Sequence, residues 1–156
     1  MKNNRVSAAF SGLVVCGVVV SGVLCPRAVR AECSKKAAGA YLTIVKNGES
    51  IASRSTLILG AEGTVSSVDS GQGPIGFTDA QGTWTCDREK NLVVTTLDFN
   101  TAGDTLFKLN YTASFDKKQQ TVSGTVTLHS YPLAGDPFTD AGTPLGTFSF
   151  TGKRIP

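Results

Sequence analysis

Side chains able to do chemistry are few in this chain of 156 residues, and their spacing joins none of them into a catalytic set. His129 is the one histidine, the residue type whose ordinary pKa best suits proton transfer near neutrality. It follows Leu128 near the end of an apolar–polar alternation and falls on the opposite phase from Val126 and Leu128, which puts it at the surface. A nucleophile–base–acid relay depends on mutual geometry, and no serine or carboxylate is tied to His129 by a defined spacing. Most carboxylates occupy turn-like stretches or strand ends; among these, Asp69 and Glu62 fall where they would approach the rim of a barrel. Asp98 differs, because it lies inside Thr96-Leu97-Asp98-Phe99-Asn100. With Leu97 and Phe99 pointing inward, Asp98 is expected to face water. Tyr111 sits in the middle of the clearest amphipathic strand, where a buried phenol needs a hydrogen-bond partner. It is the best candidate for a polar contact inside an apolar pocket.

Other chemistries lack their parts. Two cysteines outside the leader and one distant histidine do not make a zinc site. The glycine-rich run at 71–76 has neither the lysine of a phosphate loop nor a following helix, and reads as a turn. Lys35-Lys36, Lys117-Lys118 and Lys153-Arg154 are isolated pairs, without the exposed aromatics and continuous positive track that single-stranded nucleic acid requires. No metal, cofactor or nucleic-acid partner is expected.

The N-terminus supplies the compartment. Lys2 and Arg5 precede an apolar run over residues 6–25, and Val29 and Ala31 are small residues at the −3 and −1 positions before Glu32. This pattern predicts a signal peptide over residues 1–31 and a single exported domain over residues 32–156. An uncleaved anchor is the competing reading, since the run approaches spanning length; Gly12, Gly17 and Gly22 punctuate it and argue for cleavage. After cleavage no stable membrane insertion is expected. The leader removes Lys2, Arg5, Arg27 and Arg30, so a formal charge of +3 becomes eleven Lys and Arg against twelve Asp and Glu. That balance gives no general attraction to nucleic acid or anionic membrane. The leader also takes Cys16 and Cys25, leaving Cys33 and Cys86 as a disulfide candidate in a secreted or periplasmic domain.

The elements that position these residues are strands. Runs at 41–45, 54–59, 64–69, 82–86, 92–99, 106–115, 121–131 and 146–153 are rich in Thr, Val, Phe and Tyr and are separated by Gly, Asn and Asp clusters. Phe107, Leu109, Tyr111, Ala113 and Phe115 share one phase, opposite Lys108, Asn110, Thr112 and Ser114. Val93, Thr95, Leu97 and Phe99 are expected to make a similar inner face, as are Val122, Gly124, Val126 and Leu128. One dry and one wet face per strand is the mark of an antiparallel sheet around a core. Closing about eight strands into an up-and-down barrel hides both faces and edges, whereas a β-sandwich, the alternative, leaves edges to protect. Two longer irregular segments, 70–81 and 132–144, carry the isolated aromatics Phe77 and Phe138. They would flank a cavity mouth or plug the barrel end.

The layout resembles the small secreted barrels of the calycin-like and allene oxide cyclase-like group over residues 40–155. The resemblance lies in the glycine-punctuated strand series, the turn region at 82–91, the long hairpin and the closing strand at 146–154. Lipocalins carry a glycine–tryptophan signature on their first strand; here Gly82-Thr83-Trp84 stands mid-chain, a departure from that pattern. The resemblance implies an apolar barrel cavity that binds a hydrophobic small molecule and, in cyclase-like members, folds it for ring closure. No catalytic residue of the group maps onto this sequence.

The residues expected to line the interior are Trp84, Leu97, Phe107 and Leu109, with Tyr111, Val126, Phe148 and Phe150. Trp84 shares its phase with Cys86 and reads first as a core anchor, with the cavity wall as its other role. The leading expectation is a non-enzymatic container for a small apolar molecule. A cofactor-free cyclase or isomerase, using Tyr111 and a mouth carboxylate, and a cell-surface interaction module are the alternatives.

Overall fold

A computed structural model describes Cys33, residues 36–116, Lys118 and residues 120–156, with Ile75 described by its backbone alone. The expected leader over residues 1–31, with Cys16 and Cys25, lies outside the described residues. The chain forms one closed antiparallel barrel in which eight strands follow in sequence order and β8 returns to β1. The strands are β1 (Gly39–Asn47), β2 (Ser50–Leu59), β3 (Thr64–Asp69), β4 (Ala80–Cys86), β5 (Leu92–Phe99), β6 (Thr105–Phe115), β7 (Thr121–Pro132) and β8 (Thr143–Arg154). The expected barrel is therefore the architecture observed, and the sandwich is not. Closure leaves no open edge, which suits a fold whose strands alternate so plainly.

Polar side chains tie the turns. Asp87 Oδ1 accepts the Glu89 and Asn91 amides at 2.8 Å each, Asp116 Oδ1 accepts those of Gln120 and Thr121, and Asn100 Oδ1 accepts those of Asp104 and Thr105. These short side chains offer an oxygen to amides a few residues on, which is why Asp and Asn recur there. Gly124 and Gly82 serve tight coiling instead. A Cβ on Gly124 would lie 2.1 Å from the Thr112 carbonyl oxygen, and one on Gly82 1.9 Å from that of Thr95.

Strand β5 reverses its expected faces. Val94 stands opposite Tyr111, Thr96 opposite Leu109 and Asp98 opposite Phe107. Directly opposed residues share a side of the sheet, so Leu92, Val94, Thr96 and Asp98 point inward while Val93, Leu97 and Phe99 point out. Both phases of β5 are apolar enough to pass for a core face. Pairing with β6 decides between them.

The interior divides along the barrel axis. At one end Tyr41, Leu57, Val65, Trp84, Leu92 and Val122 form a packed core with their neighbours. Trp84 Nε1 donates to the Gly60 carbonyl at 2.8 Å, so the indole acts as the core anchor with its polar atom satisfied. The N-terminal segment caps this end. Cys33 is bonded to Cys86, the Tyr41 hydroxyl donates to the Ala37 carbonyl at 2.8 Å, and Arg154 donates to the Lys36 and Ala38 carbonyls. The Arg154 guanidinium also lies over the Tyr41 ring, 5.7 Å from its centroid. Among the described residues no helix is long and apolar enough to cross a membrane.

Candidate functional site

Packing stops at Tyr111 and Phe150, whose rings meet edge to face with centroids 5.4 Å apart. Beyond them lies a cavity of about 280 Å³ with almost wholly apolar walls, reached from the end of the barrel away from the disulfide. An apolar cavity of about 150 Å³ already accepts benzene, so the space suits a small organic molecule.

Its wall is two-sided because the strands that build it differ. Strands β6, β7 and β8 contribute Phe107, Leu109, Val126, Leu128 and Phe148. Strands β2, β3 and β5 contribute Ser53, Ser67, Asp69 and Asp98, with Ala80 of β4 leaving room between them. Among the described residues the lining includes no lysine, arginine or histidine.

The two carboxyls are held differently. Asp69 has both oxygens engaged: Oδ2 accepts from the Ser53 hydroxyl at 2.8 Å and Oδ1 from the Gly71 amide at 2.7 Å. Asp98 is 5 % exposed, and its Oδ1 is buried with no hydrogen-bond partner among the described residues. Burial disfavours its charged form, and the Asp69 charge opposes it further, so its pKa is pushed up to about 7. Burial likewise pushes the Tyr111 phenol well above its usual range, with Asp69 and Asp98 adding to the effect. No cluster of three or more His, Cys, Asp or Glu able to hold a metal ion occurs among the described residues.

The mouth is framed by loops. Phe77 bridges to Asn100, the Thr78 amide donates to the Phe99 carbonyl at 2.8 Å and the Thr101 amide to the Gly76 carbonyl at 2.7 Å. The β3–β4 loop is thereby fastened to the β5–β6 turn, holding Phe77 and Thr78 at the cavity. Phe138, the other candidate plug, is 71 % exposed outside the barrel. Lys108 Nζ lies 5.3 Å from the centroid of its ring and donates to the Pro137 carbonyl, folding the β7–β8 loop onto the outer face of β6. Just past the loop, Leu145 of β8 reaches the cavity.

Of the residues expected to line the interior, Phe107, Leu109, Tyr111, Val126 and Phe148 meet at this cavity. Phe150 and Trp84 point inward but belong to the packed core. Leu97 is a correction: it sits opposite Lys108 and Gln81 on the outer side of β5, because the register turns its phase outward. Asp98 is the converse correction, inside where water was expected. His129 lies beyond a bulge in β7, opposite Pro144 and Lys108, and is not part of the lining. Ser53, Ser67 and Asp98 escaped sequence reasoning. A signal for Asp98 existed: a symmetric hairpin about the turn at 101–104 sets residue 98 against 107, and the plain alternation of β6 then carries β5 with it. No protein-family model matches the chain, and no curated protein or solved structure matches it, so the calycin-like and cyclase-like resemblance rests on layout alone.

Proposed function

We propose that this chain is an exported container whose barrel holds one small, mainly apolar molecule. The observation that carries this reading is the cavity of about 280 Å³ walled by Phe107, Leu109, Val126 and Phe148, an apolar space beside a well-packed core. Cores normally fill to crystal-like density, so an unfilled apolar chamber is a feature that a ligand would explain. Export is supported by the Cys33–Cys86 disulfide, a bond that persists in oxidising compartments outside the cytosol. The test is uptake of a neutral apolar fluorophore, N-phenyl-1-naphthylamine, followed by its blue-shifted emission. Wild type should bind it, and Leu109→Trp, which fills the chamber from β6, should not. Equal emission from both proteins, or none from the wild type, would count against the reading.

A cofactor-free isomerase or cyclase is the second reading, favoured by one observation. A carboxyl with a pKa near 7, unpartnered beside a buried phenol in an apolar chamber, has the properties of a general acid or base. Native mass spectrometry of protein purified gently from its exported fraction separates the two. A copurified molecule returned unchanged after incubation with fresh protein fits the container. Conversion that Asp98→Asn abolishes fits the enzyme.

A further inference from the structure

The cavity has one charged pole and no counter-charge. Asp69 and Asp98 stand on the hydroxyl-bearing wall, and no basic side chain among the described residues shares the lining. Asp69 has its two oxygens occupied by Ser53 and the Gly71 amide, whereas Asp98 presents a buried Oδ1 that nothing in the described protein satisfies. Leaving such an oxygen unpaired is costly, and a positive charge brought by a ligand to the same carboxyl would offset that cost. The rest of the wall, from Phe107, the cross-strand neighbour of Asp98, through Leu109, Val126 and Leu128 to Phe148, offers only hydrocarbon.

We propose that the molecule held here is an apolar amine, with its protonated amino group on Asp98 beside Asp69 and its hydrocarbon part against β6–β8. This rests on the reading of the barrel as a container and names the chemical class of its occupant. A cation suits two neighbouring carboxyls better than a neutral donor, because it neutralises the repulsion between them and favours the ionised form of the Asp98 carboxyl. A carboxylate-ended ligand would add a further negative group at the pole where Asp69 already stands. A bare divalent ion is disfavoured, since no third His, Cys, Asp or Glu joins the pair among the described residues.

Binding should also move a proton. The titratable groups facing Asp98 are Asp69 from β3 and Tyr111 from β6; the lining contributed by β1, β2, β4, β7 and β8 holds none. In the empty barrel Asp98 keeps its proton up to about pH 7. An ammonium group favours the ionised carboxylate, so below that pH the proton leaves as the amine arrives.

Calorimetry with octylamine, octanol and octanoate tests the proposal on the wild-type chain and on Asp98→Asn. At pH 8 octylamine should bind wild type at least about tenfold more tightly than octanol, as a charge-assisted hydrogen bond implies, with octanoate weakest. In Asp98→Asn the amine and alcohol affinities should converge to within about threefold while octanol binding persists. A readout needing no variant is the buffer dependence of the binding enthalpy. Octylamine should release close to one proton near pH 6 and almost none near pH 9. Equal amine and alcohol affinities in wild type, tighter octanoate, or no proton release near pH 6 would overturn the amine while leaving the container standing. Failure of all three probes to bind would overturn both.

Discussion

Asp98 carries a carboxyl that is 5 % exposed, partly unpartnered and set near Asp69, and it holds its proton to about pH 7 against a usual value near 4. Because the folded pKa lies above the unfolded one, the folded chain binds more protons between those values. Stability from this group is therefore complete below about pH 4 and is lost as pH rises to about 7. The loss amounts to at most about 4 kcal/mol, reduced by whatever water enters the cavity and screens the charge. Asp98→Asn keeps the shape of the protonated acid and cannot ionise. Urea midpoints at pH 5 and pH 8 should show the variant gaining on wild type as pH rises; parallel profiles would mean that Asp98 is not desolvated in solution. The same residue marks where local pattern stops informing. In Leu97-Asp98-Phe99 the two apolar neighbours make an inward phase look natural, yet pairing with Phe107 turns the acid inside and the two apolar side chains out.

At the scale of the strand, alternation and turn chemistry carried far. All eight runs read from the sequence are strands; those at 64–69 and 92–99 have the observed bounds, and the other six are lengthened by one to four residues at an end where pairing extends them beyond the apolar pattern. The inner faces of β6 and β7 were legible because Lys108, Asn110 and Thr112 stand in clear contrast to Phe107, Leu109 and Tyr111. Gly124 was legible as a point of close approach, and its surroundings give that a magnitude. A Cβ there would sit 2.1 Å from the Thr112 carbonyl oxygen and 2.6 Å from the Ala113 Cα, both backbone atoms that cannot rotate away. Gly124→Ala should cost at least about 1–3 kcal/mol in urea unfolding, the range for overpacking a tight site. Gly73→Ala is the control, since nothing lies within 4 Å of its Cβ position. It should stay within about 0.5 kcal/mol of wild type.

Across the whole molecule, stability and the cavity sit at opposite ends. The Cys33–Cys86 bond, spanning 53 positions, ties the N-terminal segment to β4 beside the packed core, where Arg154 and Tyr41 hold the same segment. Closing a loop of that length is worth about 4 kcal/mol in the chain-entropy account. Reduction should lower the urea midpoint accordingly, while fluorophore affinity measured well below that midpoint stays unchanged. An affinity that fell with reduction would show the two ends to be coupled. Strand periodicity, turn residues and an even pair of cysteines are local or compositional properties, so the chain alone was enough to read an all-β domain, to prefer a barrel over a sandwich and to offer a disulfide candidate; the structure closes the barrel and forms the bond. Register, the division of the bore into a packed half and a cavity, and the placing of Asp69 and Asp98 on one cavity depend on which distant strands lie opposite one another. No stretch of residues encodes that separately, because a shift of one position in pairing exchanges every inward side chain for its outward neighbour.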